Sequence, residues 1–479
     1  MHPVAHRTAP RRRTAALLVA AAFLTPQGAR AVQATSPDAF VSVPAGTVAL
    51  THVRLVDGTG GPVLDDQTVV LDGATIVDVG RTGSVDVPAG ARILDLSGHT
   101  VLPGLVSLHE HLYFGGVRQM TPMPVTGPML YLALGVTTAM PAGSQFPYWD
   151  LNLKRVIDAG VAPGPRIFAT GPYLNGGPPR PGTALIANDP DAVRRVVRYW
   201  ASEGATWMKV QGAPTRAVLR AAIEEAHGLG MKITGHLCSV TFTEAAALGI
   251  DALQHGYITN SDYVPGKQPD VCPPENMRIQ ADLDVEAPEV RESIRRIVAD
   301  GAAVVSTLGV YETFTPSRAT LPPRAVEMLT PRTRAEVVEN HANVADGGLI
   351  VPPRLLQKMM RWERIFVEEG GLLGAGSDPW GTGYLPGFGN LRNYEMLLEA
   401  GFSASESVQI LTLNGARILG AEDRFGSVEV GKVADLVVIR GDPVVQPTAV
   451  YDVVTVFKDG VGYDSMRLQE AAKGTIGAP

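Results

Sequence analysis

Short apolar runs recur through the middle of this 479-residue chain and alternate with segments of helical periodicity. Strands of a parallel sheet are buried on both faces, so such strands are continuously apolar. Eight runs separated by helices predict an α/β fold, a (β/α)8 TIM barrel over residues 105–419. The runs are LPGLVSLH (102–109), GVTTAM (135–140), RIFATG (166–171), WMKV (207–210), KITGHL (232–237), DALQHG (251–256), AAVVSTL (302–308) and LLGAGSD (372–378). The intervening periodicity predicts helices over 189–203, 216–229 and 287–300.

Both ends of the chain have the composition of β-strands. Residues 47–104 contain β-branched runs with a hairpin signal at Asp72-Gly73, and residues 420–465 contain another at Asp459-Gly460. Glycine accepts the positive φ that a tight hairpin turn requires. Each piece alone is too small to bury a core, so we expect one small β-sandwich domain built from both ends. Residues 32–46 are predicted to be a linker and residues 466–479 a C-terminal tail.

The N-terminus has the features of an export signal. Arg11, Arg12 and Arg13 precede an uncharged apolar run, and Ala29-Arg30-Ala31 is a small-residue cleavage pattern. We expect residues 1–31 to be removed during export to the periplasm or the exterior, by the Sec or the twin-arginine route. The apolar run is too short to span a membrane.

Charge and cysteine content exclude some classes of function. Removing residues 1–31 takes away five arginines and no acidic residue, so the net charge moves from −7 to −12. A protein this acidic is unsuited to binding nucleic acid or an anionic membrane. The two cysteines, Cys238 and Cys272, could pair in an exported chain. We expect both to be free, because Cys238 lies two residues after a histidine that the pattern places inside the barrel.

Polar residues interrupt the apolar runs at their C-terminal ends, where the chemistry of such barrels is located. Four of the ten histidines fall there. Residues i and i+2 of a strand project to the same side, so a His-x-His pair can face one metal ion. Each residue alone has an ordinary structural explanation, but together they predict a metal centre. The candidates are His109 and His111 in the first run, Lys209 in the fourth, His236 in the fifth, His255 in the sixth and Asp378 in the eighth.

Over nearly all of its length after the export signal, the chain resembles the amidohydrolase superfamily of metal-dependent hydrolases. The resemblance rests on PGLVSLHEH (103–111), WMKVQ (207–211), GH (235–236), QHG (254–256), GSD (376–378), LTLNGARILG (411–420) and GSVEVGKVADLVVI (426–439). The last two segments are most typical of the imidazolonepropionase-like and dipeptidase-like branches. The resemblance also supports a sandwich built from both chain ends.

The resemblance implies a pair of divalent metal ions and a role for each candidate residue. Zinc suits a ligand set rich in imidazole, although manganese, cobalt and iron remain open. Asp378 would accept a proton from the attacking hydroxide and pass it to the leaving group. The implied ligands are His109, His111 and Asp378 for one ion, His236 and His255 for the other, and Lys209, as a carbamate formed with CO₂, bridging both.

Hydrolysis of an amide bond, in a dipeptide or an N-acyl amino acid, fits the resemblance best. Deamination is disfavoured, because the related deaminases carry a glutamate shortly after the fifth-strand histidine and lack the bridging lysine. Here Leu237, Cys238 and Ser239 follow His236. Lactones, cyclic amides and phosphotriesters remain alternative substrates. A metal-free scaffold protein on the same fold is the alternative from another class.

Loops after the strands are expected to form the substrate pocket, with Tyr113, Gln211 and Tyr257 as candidate contacts. Two connections, 259–282 and 311–353, are long for this fold and suggest a wall or lid over the pocket. Glu110, between the two histidines of the first run, should point the other way by strand alternation. The resemblance leaves a homo-oligomer open.

Overall fold

The computed structural model describes residues 36–115, 120–177, 188–316, 318, 322–346, 351–379 and 383–478. The predicted export signal, residues 1–31, lies outside these ranges. Among the residues described, no helix combines the length and apolar character needed to cross a bilayer.

The described strands, in chain order, are β1 (Val41–Val43), β2 (Thr47–Leu55), β3 (Leu64–Asp72), β4 (Thr75–Arg81), β5 (Arg92–Asp95), β6 (His99–Pro103), β7 (Leu105–Glu110), β8 (Tyr113–Gly115), β9 (Met120–Pro122), β10 (Val136–Pro141), β11 (Arg166–Ile167), β12 (Thr170–Gly176), β13 (Trp207–Gly212), β14 (Lys232–Leu237), β15 (Ala252–Gln254), β16 (Ala303–Ser306), β17 (Leu373–Ala375), β18 (Leu436–Arg440), β19 (Val453–Lys458) and β20 (Val461–Asp464).

The described α-helices are α1 (Thr126–Ala133), α2 (Pro147–Asp158), α3 (Pro190–Glu203), α4 (Arg216–Gly228), α5 (Phe242–Ala247), α6 (Asn276–Asp282), α7 (Pro288–Ala299), α8 (Leu308–Thr313), α9 (Pro323–Met328), α10 (Pro331–Ala345), α11 (Pro353–Glu368), α12 (Phe388–Glu399), α13 (Ala404–Leu411), α14 (Leu413–Leu419) and α15 (Ser465–Ala472). Short 3-10 helices cover Pro37–Phe40, Gly256–Thr259 and Pro447–Tyr451.

All eight predicted runs form parallel strands. One sheet has the order β11-β10-β7, and a second has the order β12-β13-β14-β15-β16-β17. The third run is divided between β11 and β12. The three predicted helices are α3, α4 and α7, each within one residue of its expected start and end. This mixed α/β arrangement is consistent with a TIM barrel.

Helix α3 shows which residues make these helix boundaries predictable from the sequence. The Asp189 side chain accepts a hydrogen bond from the Ala192 N–H, and Pro190 occupies the first turn, where no N–H donor is needed. Gly204 follows the last turn at φ +102°, a conformation that glycine adopts without strain.

Both chain ends contribute to one nine-stranded sheet, ordered β1-β20-β19-β18-β6-β2-β3-β4 with β5 also paired to β2. The predicted hairpins at Asp72-Gly73 and Asp459-Gly460 connect β3 to β4 and β19 to β20. An apolar cluster joins the two ends, for example Leu50 and Val69 with Leu436 and Phe457, all fully buried.

Two terminal segments differ from the prediction. Part of the expected linker forms β1, which pairs with β20, and Phe40 is buried beside it. The expected C-terminal tail contains most of α15, where Leu468 and Ala472 are buried and Ser465 Oγ donates to the Ala133 carbonyl. Both segments carry apolar side chains that only tertiary packing could bury.

The cysteine prediction is wrong, because Cys238 and Cys272 form a disulfide. The bond joins the segment after β14 to the long connection that includes residues 259–282. Ser261 Oγ, on that connection, also donates a hydrogen bond to the Cys238 carbonyl. The path of this connection, which short-range patterns do not encode, brings the two sulfur atoms together.

Candidate metal centre

The C-terminal ends of the parallel strands surround a cavity of about 250 Å³, called here the strand-end cavity. The cavity contains all six predicted ligands, although they lie up to 269 positions apart in sequence, His109 to Asp378. The lining residues are His109, His111, Tyr113, Met120, Gln145, Tyr173, Lys209, Gln211, His236, His255, Val310, Tyr311, Phe314 and Asp378.

His109, His111 and Asp378 form a compact group whose ligand atoms lie within 4.8 Å of one another. Asp378 Oδ1 is 2.9 Å from His111 Nε2 and 3.6 Å from His109 Nε2. The backbone fixes this approach, because the Asp378 N–H donates to the His109 carbonyl at 2.8 Å. A Cβ on Gly376 would lie 2.3 Å from the His109 backbone nitrogen, so only glycine permits the contact.

His236, His255 and Lys209 complete the cluster. The His255 ring centroid is 4.4 Å from that of His236 and 4.6 Å from that of His109. Lys209 Nζ is 3.3 Å from His109 Nε2. Lys209 lies on β13 and His236 on β14. Gln211 of β13 pairs with His236 of β14, so Lys209 and His236 lie near the same edge of the sheet.

Two members of the cluster have a backbone conformation that non-glycine residues rarely adopt. His255 has φ +71° and Asp378 has φ +47°. Such conformations cost about 1–3 kcal/mol each and concentrate at functional sites. The surrounding contacts therefore stabilise these backbone conformations, which direct the His255 and Asp378 side chains differently from those of a regular strand.

A chain of hydrogen bonds sets the tautomer of His109. Thr234 Oγ1 donates to the Ala252 carbonyl and accepts from the Gln254 amide nitrogen at 2.7 Å. The Gln254 amide oxygen consequently faces His109 Nδ1, at 2.6 Å, and Nδ1 must carry the proton. The lone pair of Nε2 is left pointing at the cluster, as a metal ligand requires.

His255 also has a polar neighbour, because its Nδ1 lies 2.8 Å from Thr307 Oγ1. Gln254 and Thr307 were not identified as site residues from the sequence. A polar side chain in an otherwise apolar strand, such as Gln254 in ALQ, is the signal that could have revealed the first.

Burial lowers the pKa of three histidines in the cluster, His109, His236 and His255. The pKa of His236 falls to about 4 through burial and the nearby charge of Lys209, and those of His109 and His255 also fall well below their usual range. Burial likewise lowers the pKa of Lys209 to about 7. Burial opposes ionisation of Asp378, but its hydrogen bond to His111 and the charge of Lys209 outweigh that effect and lower its pKa. Near neutral pH these three histidines are therefore neutral imidazoles and Asp378 is a carboxylate, which are the forms that bind metals.

The amidohydrolase family model matches residues 100–462, three quarters of the sequence. The chain belongs to the amidohydrolase family. Among curated proteins it is similar to the imidazolonepropionase of Streptomyces griseus, with 31% identity over 134 residues, or 26% of this chain and 34% of that protein. It is also similar to the dihydroorotase of Anaeromyxobacter dehalogenans, with 28% identity over 191 residues, or 38% of this chain and 40% of that protein. The matched region thus spans about a third of the length of the former relative and two fifths of the latter.

Solved structures resemble this amidohydrolase over most of its length. A candidate prolidase from Bifidobacterium longum has a TM-score of 0.65 and 26% identity, covering 90% of this chain and 99% of that protein. A Xaa-Pro dipeptidase with bound methionine has a TM-score of 0.65 and 21% identity, covering 88% and 100%. At 21% identity, the similarity to the Xaa-Pro dipeptidase shows only a shared fold.

Glu110 points away from the cavity of the amidohydrolase, as strand alternation predicts. Its carboxylate is fully buried and accepts hydrogen bonds from the Ser377 backbone and hydroxyl, at 3.2 and 2.6 Å, and from Asn390 Nδ2 at 2.7 Å. The Ser107 hydroxyl donates to the same carboxylate. Through these hydrogen bonds, Glu110 links Ser377, the residue before Asp378, to the end of β7, where His109 lies.

The substrate contacts predicted from the sequence have different outcomes. Tyr113 and Gln211 line the cavity, whereas Tyr257 does not. The Tyr257 side chain is fully buried, and its hydroxyl donates to the Gln280 carbonyl at 2.9 Å. The positive φ angles of His255 and Gly256 start a 3-10 turn that carries Tyr257 out of the strand direction. Gln145 and Tyr311 line the cavity and were not among the predicted contacts.

Proposed function

We propose that this chain is an exported, metal-dependent amidohydrolase that hydrolyses an amide bond in a dipeptide or an N-acyl amino acid. The observation that carries the proposal is the convergence of four imidazoles, one carboxylate and one buried lysine amine on a single cavity. Imidazole nitrogens and carboxylate oxygens are the donors that zinc-type ions prefer.

In this proposal the six residues hold two divalent ions, most naturally zinc, with manganese, cobalt or iron as alternatives. His109, His111 and Asp378 would hold one ion, and His236 and His255 would hold the other. The neutral amine of Lys209 would add to CO₂, forming an N–C bond and releasing a proton, and the resulting anionic carbamate would be a further ligand for the ions. A neutral amine is the reactive form, and burial of Lys209 favours it.

Bound divalent ions would lower the pKa of a water molecule and polarise the carbonyl oxygen of the substrate. Asp378 would accept a proton from the attacking water and deliver it to the leaving nitrogen. Asp378 Oδ1 lies 2.9 Å from His111 Nε2, so the carboxylate faces the same point as the two histidines. The Gln254 amide keeps the proton of His109 on the nitrogen that faces away from the cluster.

Two features support a small amide substrate. A cavity of about 250 Å³ with aromatic side chains on its wall suits a small molecule rather than a long peptide. The similar solved structures include a prolidase complexed with N-methylphosphonate-L-proline, which has a TM-score of 0.63 and 20% identity.

We also propose that the eight parallel strands close into a barrel and that the nine-stranded sheet forms a sandwich domain. The hydrogen bond from the Asp378 N–H to the His109 carbonyl, which joins the ends of the eighth and first runs, supports closure. The pairing of β2 with both β5 and β6 along one edge supports a folded-over sheet.

The disulfide between Cys238 and Cys272 supports export, because structural disulfides persist in oxidising compartments. Sequencing the N-terminus of the protein recovered from the periplasm or medium tests this point, and we expect the chain to begin after residue 31. An intact export segment on the recovered protein would contradict the proposal.

The central experiment is a hydrolysis screen of the purified protein supplied with zinc, manganese or cobalt. The panel contains dipeptides, N-acetyl amino acids, lactones, cyclic amides and phosphotriesters. We expect chelator-sensitive hydrolysis of a dipeptide or an N-acetyl amino acid. Protein that binds no transition metal and shows no chelator-sensitive hydrolysis would refute the enzyme assignment.

A Lys209→Ala variant tests the bridging lysine. We expect loss of hydrolysis and partial recovery when a short carboxylic acid is added, because its carboxylate can replace the carbamate. Lys232→Ala is the matched control, since Lys232 Nζ donates to the Ile418 carbonyl outside the cavity at 2.7 Å. Full activity of unsupplemented Lys209→Ala protein would exclude a bridging role.

A further inference from the structure

Helix α8 follows β16 and carries Tyr311 over one of the proposed metal ligands. The Tyr311 ring lies edge-on to the His255 ring, with 5.6 Å between centroids and an interplanar angle of 86°. Tyr311 lines the strand-end cavity together with Asp378. Its side chain therefore forms part of the cavity wall beside His255.

The hydroxyl of Tyr311 differs from those of the other two tyrosines in the cavity. The Tyr113 and Tyr173 hydroxyls lie 3.0 Å apart, and the Tyr173 hydroxyl also lies 3.5 Å from His111 Nδ1. Within the described ranges, the Tyr311 hydroxyl has no hydrogen-bond partner. Tyr311 thus presents a free O–H donor in the cavity.

Tyr311 is held in place by its neighbour Glu312, which is fully buried. Glu312 accepts hydrogen bonds from Arg392 Nε and Nη2 at 2.9 and 2.8 Å. Arg318 Nη2 lies 2.8 Å from the same carboxylate, and the Tyr384 hydroxyl also donates to it. Bidentate arginine pairs of this kind are geometrically specific, so they fix the helix turn that carries Tyr311.

We propose that the Tyr311 hydroxyl donates a hydrogen bond to the carbonyl oxygen of the bond that is cleaved. The inference rests on the proposed amide hydrolysis. The proton stays on Tyr311, and no bond to it forms or breaks. As water adds to the carbonyl carbon, the oxygen gains negative charge and the hydrogen bond strengthens. A donor that is already positioned needs no reorganisation at that moment, which is why such groups accelerate acyl transfer.

The test compares Tyr311→Phe with the wild type on the fastest amide of the screen described above. Removal of one oxyanion donor typically costs about 10²–10³-fold in kcat. We expect a loss in that range with KM changed less than about threefold, because the donor matters most in the transition state. Tyr394→Phe is the matched control, since that buried hydroxyl donates to the Pro443 carbonyl at 3.0 Å outside the cavity.

A binding measurement separates a catalytic role from a structural one. The probe is the methylphosphonamidate analogue of the same amide, in which tetrahedral phosphorus replaces the carbonyl carbon. We expect Tyr311→Phe to bind this analogue about 10²-fold more weakly and to bind the carboxylic acid product as the wild type does. Equal affinity for the analogue, or a kcat within about threefold of wild type, would refute the role of Tyr311. Absence of hydrolysis by the wild-type protein would refute the proposed function itself, and the role of Tyr311 with it.

Discussion

Replacing Gln254 with methionine should weaken metal binding by about 10–100-fold while leaving the protein folded. Gln254 accepts the Nδ1 proton of His109 at 2.6 Å, and methionine has similar length but no comparable acceptor. Loss of a partner that orients a metal-bound histidine typically reduces metal affinity or activity by that factor. The corresponding free energy is about 1.4–2.8 kcal/mol.

The expected loss of metal affinity follows from the two tautomers that His109 can adopt in the variant. If the proton stays on Nδ1, a buried donor is left unpaired, at a cost of about 1–3 kcal/mol. If the proton moves to Nε2, it faces Asp378 Oδ1, which lies 3.6 Å away. The ring must then return to the original tautomer before Nε2 can bind metal. Both outcomes place the loss of affinity in the same range.

The assay is competition for zinc against a chelator of known affinity, with thermal unfolding measured on the same samples. Gln469→Met is the matched control, because Gln469 is 2% exposed and donates to Ser465 Oγ at 2.9 Å, outside the cavity. We expect the control to lose some stability and retain the wild-type zinc affinity. A zinc affinity of Gln254→Met within twofold of wild type would refute the tautomer argument.

Three further predictions concern stability. Replacing both cysteines with serine should lower the free energy of unfolding by about 3–4 kcal/mol, because the disulfide closes a loop with a sequence separation of 34. Urea denaturation measures this change, and a loss below about 1 kcal/mol would contradict the prediction. Glu110→Ala should cost about 3 kcal/mol by the same measurement, since it leaves the donors of Ser377 and Asn390 unpaired, and an unchanged midpoint would show that the network contributes little. Burial raises the pKa of Glu363 to about 8, so the folded state binds a proton at this carboxyl more tightly than the unfolded state does. The stability gained from this proton is lost as the pH rises from about 4 to about 8. Glu363→Gln should therefore unfold like the wild type near pH 4 and be more stable by roughly 2–4 kcal/mol near pH 9, and equal stability of the two proteins at pH 9 would refute the shift.

Periodicity and turn chemistry were sufficient to predict the elements that position the site. The apolar runs form strands because parallel strands need apolar side chains on both faces, and the two Asp-Gly hairpins form because glycine accepts positive φ. The convergence of the six candidate residues on one cavity could be predicted because a strand that ends in a polar residue exposes it at one edge of the sheet. His109 and Asp378 are examples.

Features that depend on partners distant in sequence could not be predicted in this way. Strand β1 has three residues and exists only because it pairs with β20, with Val41 opposite Tyr463. The disulfide depends on the path of the long connection that contains Cys272. Tyr257 was misplaced because the backbone turns at His255, where a positive φ is not evident from the residue type.

Metal analysis of the purified protein tests the central claim most directly. We predict about two divalent ions per wild-type chain, fewer in Lys209→Ala, and the wild-type content in Lys232→Ala. Hydrolysis of the best amide should disappear when a chelator removes the ions and return when zinc, manganese or cobalt is restored. A protein that binds no transition metal under these conditions, or that hydrolyses the amide equally well with and without chelator, would contradict the account.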